Sequence, residues 1–286
     1  MKSLQVSEGR EIPLEPWCLM GIVNATPDSF SDGGRHLDPA LAVSAALQMV
    51  EEGATIIDVG GESTRPGADR IDAQEQIRRV VPVIEGLRSR SEVAISIDTT
   101  LAAVAEAAFN AGANLVNDVA AGLEDPDLLP LIGARGGGVV LMHRLRPPGD
   151  DRYSHEYDAP PAYEDLLQEV SGFLEARSQA AEDAGVSRSS IAIDPGLGFG
   201  KTVEQNLQLI RGLGEFARTG RPVLVGGSRK SFLGAIAGIP DPEERGAVSV
   251  ALGIDAWRRG ASILRVHDPR PHREALAVAA AVDGSD

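Results

Sequence analysis

The sequence predicts an α/β protein, a (β/α)8 TIM barrel with a short N-terminal hairpin, on three observations. Eight short β-branched apolar runs alternate with longer Ala/Leu/Glu/Arg-rich stretches, the pattern of repeated βα units around a parallel sheet. A Gly-Ala step recurs at 53–54, 112–113 and 260–261, where a glycine C-cap feeds the next strand. The length of 286 residues suits one barrel, which typically takes about 250 residues. The range 1–286 is therefore read as one barrel domain.

In chain order, segment 4–14, with Glu8-Gly9 at its centre, is a candidate hairpin plugging the N-terminal end of the barrel. Strands are expected at 17–24, 55–60, 93–98, 115–118, 138–143, 191–194, 222–227 and 263–268. All but the last two lead through a polar or glycine-rich loop into a helical segment. Helices are expected at 39–52 after an Asp38 cap, 72–90, 101–111, 163–185, 203–218 and 241–260. Segment 144–161, rich in Pro, Asp and Tyr, reads as a long exposed loop, and 275–286 as an Ala/Val helix that frays.

Composition prunes the functional classes. With 43% hydrophobic and 24% charged residues, the chain can bury a normal core. The 42 acidic against 27 basic residues give a net charge of -15, which opposes binding to nucleic acid or anionic membranes. Any bound anion then needs a locally basic site. Cys18 is the only cysteine, which excludes an intrachain disulfide and a cysteine zinc cage and points to a reducing cytoplasm. The opening residues carry no apolar signal stretch, and no run approaches the roughly 18 apolar residues of a membrane span.

Polar and charged groups crowd the expected C-terminal strand ends: Asn24, the stretch Gly60 to Arg65, Asp98, Asn117-Asp118, His143, Asp194, Ser228-Arg229-Lys230, and Arg265 with His267. In a barrel these positions converge on one face, where such enzymes build their sites. Any one Asp or Asn there is equally a turn or helix cap, but eight ends at once exceed what a scaffold needs. Arg65, Arg265, His267 and the glycine pairs at 60–61 and 226–227 offer guanidinium forks and backbone N–H groups for a phosphate or diphosphate. Asn24 can supply a neutral oxygen to Mg2+. Asp98, Asn117 and Asp194 can pair with the edge of a flat polar heterocycle, with Lys230 reaching a ring oxygen or nitrogen. The structural alternatives are an Arg65–Glu62 surface pair and internal pairing of Asp98 or Asp194 with Lys230. No GxSxG elbow occurs, and the glycines of DPGLGFGKT at 194–202 do not fit a nucleotide P-loop. His36, His155 and His272 lack metal-ligand spacing and are expected at the surface.

MGIVNATPDSFSDGG at 20–34 and VGGESTRPGA at 59–68 are followed in order by SIDT, NDV, LMH, DPGLGFGKT, GGSRKSFLG and RVHD. By these strings, from Met20 to Asp268, the chain resembles the dihydropteroate synthases, a pterin-binding barrel family. The resemblance implies a homodimeric transferase that condenses (7,8-dihydropterin-6-yl)methyl diphosphate with 4-aminobenzoate and releases diphosphate, a folate-pathway step inhibited in the family by sulfonamides. By matching positions, Asp98, Asn117, Asp194 and Lys230 would hold the pterin ring, while Asn24, Arg265 and His267 would hold diphosphate and Mg2+. Thr64, Arg65, Phe199 and Ser231 would shape the 4-aminobenzoate site, with Phe30 and Asp32 on a loop closing over it and Arg229 near the ring's other face. Asp32, Arg65, Lys230, Arg265 and His267 are the candidate catalytic residues, working mainly by charge placement.

The chain departs from the family pattern in three places. Arg144-Leu145-Arg146-Pro147-Pro148 follows LMH, in a loop expected to touch little substrate. Pro269 follows RVHD and is expected to bend the last loop and shift His267, and the Gly226-Gly227 pair precedes SRKSF. Pterin-binding methyltransferase barrels share the ring-reading acids, but STRPG with SRKSF supplies a second-substrate pocket that they do not need. A non-catalytic pterin-binding paralogue would be marked by loss of Arg65, Lys230 or the first loop, all of which are present.

Overall fold

The computed structural model describes residues 3–26 and 38–284. The chain opens with an antiparallel hairpin, β1 (Ser3–Val6) and β2 (Arg10–Pro13), turned through Glu8 and Gly9, both at positive φ. Alternation along the hairpin buries Leu4, Val6, Ile12 and Leu14. These pack on Cys18, Met20, Ile56, Leu115, Val140, Ala192, Leu224 and Ile263, so the hairpin closes the lower end of the barrel as its sequence suggests.

Eight parallel strands form the barrel: β3 (Cys18–Asn24), β4 (Ile56–Gly60), β5 (Ala94–Asp98), β6 (Leu115–Asp118), β7 (Gly138–Met142), β8 (Ile191–Asp194), β9 (Leu224–Val225) and β10 (Ile263–Val266). Pairing runs in sequence order from β3 to β8, and β10 lies between β3 and β9. A parallel bridge from Ile193 to Val223, with the Ile193 N–H donating to the Pro222 carbonyl at 2.9 Å, joins β8 to the start of β9 and closes the ring. The period-2 alternation sends Ile57, Val59, Ile95 and Ile97 outward into a core shared with the helices. The intervening positions, Asp58, Gly60, Ser96 and Asp98 among them, face the lumen.

The surrounding helices are α1 (Pro39–Glu51), α2 (Ala73–Arg88), α3 (Ala102–Ala111), α4 (Leu128–Ala134), α5 (Leu166–Asp183), α6 (Val203–Arg211), α7 (Leu213–Ala217), α8 (Ser231–Ala237), α9 (Gly246–Arg258) and α10 (Pro269–Asp283). The Asp38 and Asp72 carboxylates cap α1 and α2, and Thr202 with Gln205 forms a full capping box at α6.

Several expectations are corrected. The single helix read at 203–218 is two, divided at Gly212, whose missing side chain admits Leu167 of α5. Helix α8, directly after β9, was not expected, whereas α9 and α10 fall on the helices expected at 241–260 and 275–286. Helix α4, missed in the sequence, is one short stretch containing Pro130 and Gly133, which mask its helical pattern. Pro269 does not bend a loop but sits in the first turn of α10, where its lack of an N–H costs nothing. His272, expected at the surface, is buried on α10 with Nδ1 2.8 Å from the Asp268 carbonyl. His36 lies outside the described residues. Among the described residues, no helix is long and apolar enough to cross a membrane.

Candidate active site

Strand β4 carries an acid that sequence reasoning overlooked. Asp58 is fully buried in the lumen, and its Oδ2 accepts from Arg265 Nε at 2.7 Å and Asn117 Nδ2 at 3.1 Å. The same guanidinium donates through Nη2 to Asp98 Oδ2 at 2.8 Å. A charged residue inside an otherwise apolar strand requires such a partner, because a lone buried carboxylate is strongly disfavoured. Burial pushes the Asp98 carboxyl up to about 7; Arg265 opposes the shift, while Asp58, Asp118 and Glu62 add to it. Asp98 thus pairs with Arg265 and not with Lys230. Asp118, one residue past Asn117, points away from this cluster and caps a turn by accepting from the Ala120 and Gly122 N–H groups.

On the other side of the mouth, Asp194 ends β8 with Oδ1 accepting from the Gly196 N–H at 2.7 Å. Lys230 sits just before α8, donates from Nζ to the Leu197 carbonyl, and holds its ammonium 4.2 Å above the Phe199 ring. Burial lowers the Lys230 ammonium to about 8, with Asp194 working against the shift. Burial likewise raises Asp194, which Lys230, Lys201 and Arg265 resist. Gly226 lies between the two halves. A Cβ there would sit 3.8 Å from Asp194 Oδ2 and 3.9 Å from Arg265 Cβ, so its absence leaves the lumen open where the acid and the guanidinium face each other. Gly60 plays the same part between Asn24 Oδ1 and the Asp98 carboxylate.

The rim adds basic groups. His267 places Nδ1 3.0 Å from Ser228 Oγ, and burial together with Arg229, Arg265 and Arg65 holds its imidazole neutral, lowered to about 3. Arg65 is exposed and its guanidinium has no hydrogen bond or ion pair among the described residues. The alternative Arg65–Glu62 pair is not formed: Glu62 accepts from the Ile71 N–H at 2.8 Å and faces Arg70. Arg229, at a φ of 60°, is already engaged by Asp268 at 3.0 Å and by Glu243. These two acids tie Arg229 into the loop after β9. Thr64 and Ser231 are half-buried, in the loop after β4 and at the first position of α8.

The loop after β7 is less free than its composition suggests. Asp151 Oδ2 accepts from the Gly200 N–H at 2.8 Å, Ser154 Oγ accepts from Asn206 Nδ2 at 3.0 Å, and the Pro148 carbonyl accepts from the Gly67 N–H at 3.0 Å. It therefore braces the loops carrying Phe199 and Arg65. A surface depression of about 480 Å3 between α1, α9 and α10 lies outside the barrel, and its Glu52 and Arg270 face each other at 3.5 Å. The chemistry is at the barrel mouth.

Comparison with known proteins agrees with this geometry. A family model described as pterin binding enzyme matches residues 20–267. The dihydropteroate synthase of Mycobacterium leprae is 45% identical over 274 residues, 94% of each chain. The chain belongs to the dihydropteroate synthase family of pterin-binding enzymes. Among solved structures, the Xanthomonas albilineans dihydropteroate synthase with 4-aminobenzoic acid superposes with a TM-score of 0.90 at 44% identity, covering 99% of this chain and 98% of that one. The same enzyme in complex with 7,8-dihydropteroate gives 0.86 at 40% identity over 98% of both chains.

For a dihydropteroate synthase family member, the structure brings together Asp98, Asn117, Asp194, Lys230, Arg265 and Phe199 at one mouth, with Asn24, His267, Thr64, Arg65 and Ser231 around it. Phe30 and Asp32 lie outside the described residues. Two residues were missed. Asp58 was signalled by a charge in the middle of IIDVG; Lys201 had no local signal beyond its place in DPGLGFGK.

Proposed function

We propose that the barrel mouth binds (7,8-dihydropterin-6-yl)methyl diphosphate and 4-aminobenzoate and joins them into 7,8-dihydropteroate, releasing diphosphate. The carrying observation is the convergence of the Asp98 and Asp194 carboxylates, the Asn117 carboxamide and the half-buried Lys230 at one barrel mouth, where the Arg265 guanidinium holds Asp98 to Asp58. The ligands named for the Xanthomonas structures agree with it. In this reading Asp98 and Asp194 accept from the ring amino and N–H groups, Asn117 supplies a carboxamide, and Lys230 donates to a ring oxygen or nitrogen. The Arg265 Nη1 edge, not used by Asp58 or Asp98, and His267 receive the diphosphate. With Nδ1 accepting from Ser228, the neutral imidazole keeps an Nε2–H donor for that task.

The bond from the methylene carbon to the diphosphate oxygen breaks, and its electron pair leaves with diphosphate. The electron-rich pterin stabilises the resulting carbon cation, the amine lone pair forms the C–N bond, and the surplus amine proton passes to solvent. An aromatic amine is neutral near pH 7, so no strong base is required. Catalysis comes from placed charge at the leaving group, with Asp32 proposed to offset the cation and Arg65, Thr64, Phe199 and Ser231 to seat the second substrate. Closure of the loop at 63–68 would exclude water, which competes for the cation.

Mg2+ is the proposed cofactor. The chemistry that fits is an ion that keeps most of its waters, and the Asn24 Oδ1 at the end of β3, beside Gly60, is a neutral oxygen of the right kind. Asn24 would supply that oxygen, and the ion would neutralise diphosphate charge. A cytoplasmic homodimer completes the proposal, the compartment resting on the lone buried Cys18. The test is incubation of purified protein with the pterin diphosphate, 4-aminobenzoate and Mg2+, followed by detection of 7,8-dihydropteroate; absence of product with both substrates bound would contradict it.

A further inference from the structure

Lysine occurs in this chain only at Lys2, Lys201 and Lys230; every other basic side chain counted in its charge is arginine. Arginine presents a broad fork, whereas lysine is a compact point charge with three donors. Both lysines beyond the N-terminus touch the 195–201 loop. Lys201 has no exposed surface, and among the described residues no carboxylate lies within hydrogen-bond distance of its nitrogen. Its Nζ lies 2.9 Å from the Phe199 carbonyl, 3.0 Å from the Gly196 carbonyl, 3.0 Å from His143 Nδ1 and 3.4 Å from the His143 carbonyl.

An ammonium enclosed in this way draws backbone carbonyls toward one point. The loop permits it because Gly196, Gly198 and Gly200 all adopt positive φ, which alternates the backbone around the nitrogen. At Gly196 a Cβ would lie 1.9 Å from the His143 carbonyl, so no side chain fits there. The opposite side of the same loop gives its Leu197 carbonyl and the face of Phe199 to Lys230 and its Gly196 N–H to Asp194. One short segment is thus held between two ammonium groups, one inside the wall and one at the mouth.

We propose that Lys201 is a positioning residue for the ring-binding half of the site: its buried ammonium folds the 195–201 loop so that the Leu197 carbonyl, the Phe199 ring and Lys230 meet in a fixed arrangement. Burial lowers the Lys201 ammonium to about 7, with Lys230 adding to the shift and the more distant Asp194 and Asp151 carboxylates opposing it; the carbonyl contacts require only its N–H donors. The consequence for ligand affinity rests on the pterin reading; the loop geometry does not.

Magnetic resonance of protein carrying isotope-labelled lysine tests it, since three side chains give three ε-methylene signals. In the wild type without ligand, the Phe199 ring current displaces the Lys230 ε-proton signal upfield from that of Lys2. Lys201→Met, similar in length but without N–H donors, is expected to lose most of that displacement and to bind 6-hydroxymethylpterin at least ten-fold more weakly in its folded fraction. If Lys201→Met does not fold, Lys201→Gln, which keeps two N–H donors, should lose part of the displacement. A Lys230 signal unchanged in whichever variant folds overturns the proposal, because a purely stabilising role would lower the melting temperature and leave Lys230 in place. A displacement that collapses while pterin binding was absent from the wild type would instead contradict the pterin reading alone.

Discussion

Arg265 reaches across the barrel from β10 to place its Nε 2.7 Å from Asp58 Oδ2 on β4, and with the same guanidinium it holds Asp98. Asp58 is enclosed by protein, and its other oxygen, Oδ1, has no hydrogen-bond partner among the described residues. The ion pair thus anchors a cation that would otherwise be free to swing toward any anion in the mouth. Breaking one side of a buried pair leaves the other charge uncompensated, at roughly 3–5 kcal/mol. Asp58→Asn keeps an oxygen acceptor but loses the charge, so its urea unfolding midpoint should fall by the equivalent of about 3 kcal/mol, with pterin affinity reduced alongside. A shift below about 0.5 kcal/mol would show that Arg265 is held by other means.

Gly226 and Gly227 are adjacent and should respond in opposite ways. A methyl at Gly226 meets only ordinary contacts of 3.8–3.9 Å with Asp194 and Arg265, whereas one at Gly227 lies 2.2 Å from Leu252 Cδ2. Gly226→Ala should melt like the wild type and lose ligand binding, because it fills the space between acid and guanidinium. Gly227→Ala should lose stability by about 1–3 kcal/mol through overpacking. Thermal melts paired with pterin calorimetry would separate the two.

Asp98 and the half-buried Lys230 are expected to shape the pH dependence of pterin binding. Asp98, raised to about 7, takes up a proton as pH falls below that value and then offers fewer acceptors, so affinity should decline on the acid side. Lys230, lowered to about 8, loses its proton as pH rises and with it the charge facing the ring, so affinity should decline on the alkaline side. The optimum is expected between the two. Asp98→Asn should remove the acid limb, and Lys230→Arg should remove the alkaline limb in whatever binding remains, because arginine does not titrate there. Calorimetry from pH 5.5 to 9.5, roughly two units about each group's value, would read both.

Arg65 differs from these residues in having no partner among the described residues. Arg65→Ala should therefore leave stability within about 0.5 kcal/mol of wild type and pterin affinity unchanged, while raising the KM for 4-aminobenzoate about ten-fold, or about 1.4 kcal/mol. Steady-state kinetics with each substrate varied in turn would show the division, and an equal effect on both substrates would refute it.

Much of this architecture was legible in the sequence because barrel strands are short, β-branched and followed at once by their functional residue. Leu115–Asp118 and Ile191–Asp194 match the expected bounds, and Asn117 and Asp194 fall where strand-end reasoning put them. Asp58 escaped that reasoning because it lies two residues before its strand end; the better signal was the cost of a charge inside an apolar run. Lys201 could not be read locally, since its environment is assembled from His143, fifty-eight positions earlier, and from a glycine-permitted backbone path. The ion pairs of Arg229 were illegible for a related reason: its partners Asp268 and Glu243 arrive from loops after other strands and helices. Strand periodicity specifies which residues face the lumen, but not which of those are neutralised by one another.

Calorimetric titration of 6-hydroxymethylpterin into wild type, Asp194→Ala and Lys230→Ala at pH 7.5, between the values at which Asp98 and Lys230 titrate, is the most direct measurement. The wild type should bind one pterin per chain, and each variant should bind at least ten-fold more weakly, a loss of about 1.4 kcal/mol or more. Equal affinity in all three proteins would contradict a ring held jointly by the acids and the lysine at this mouth.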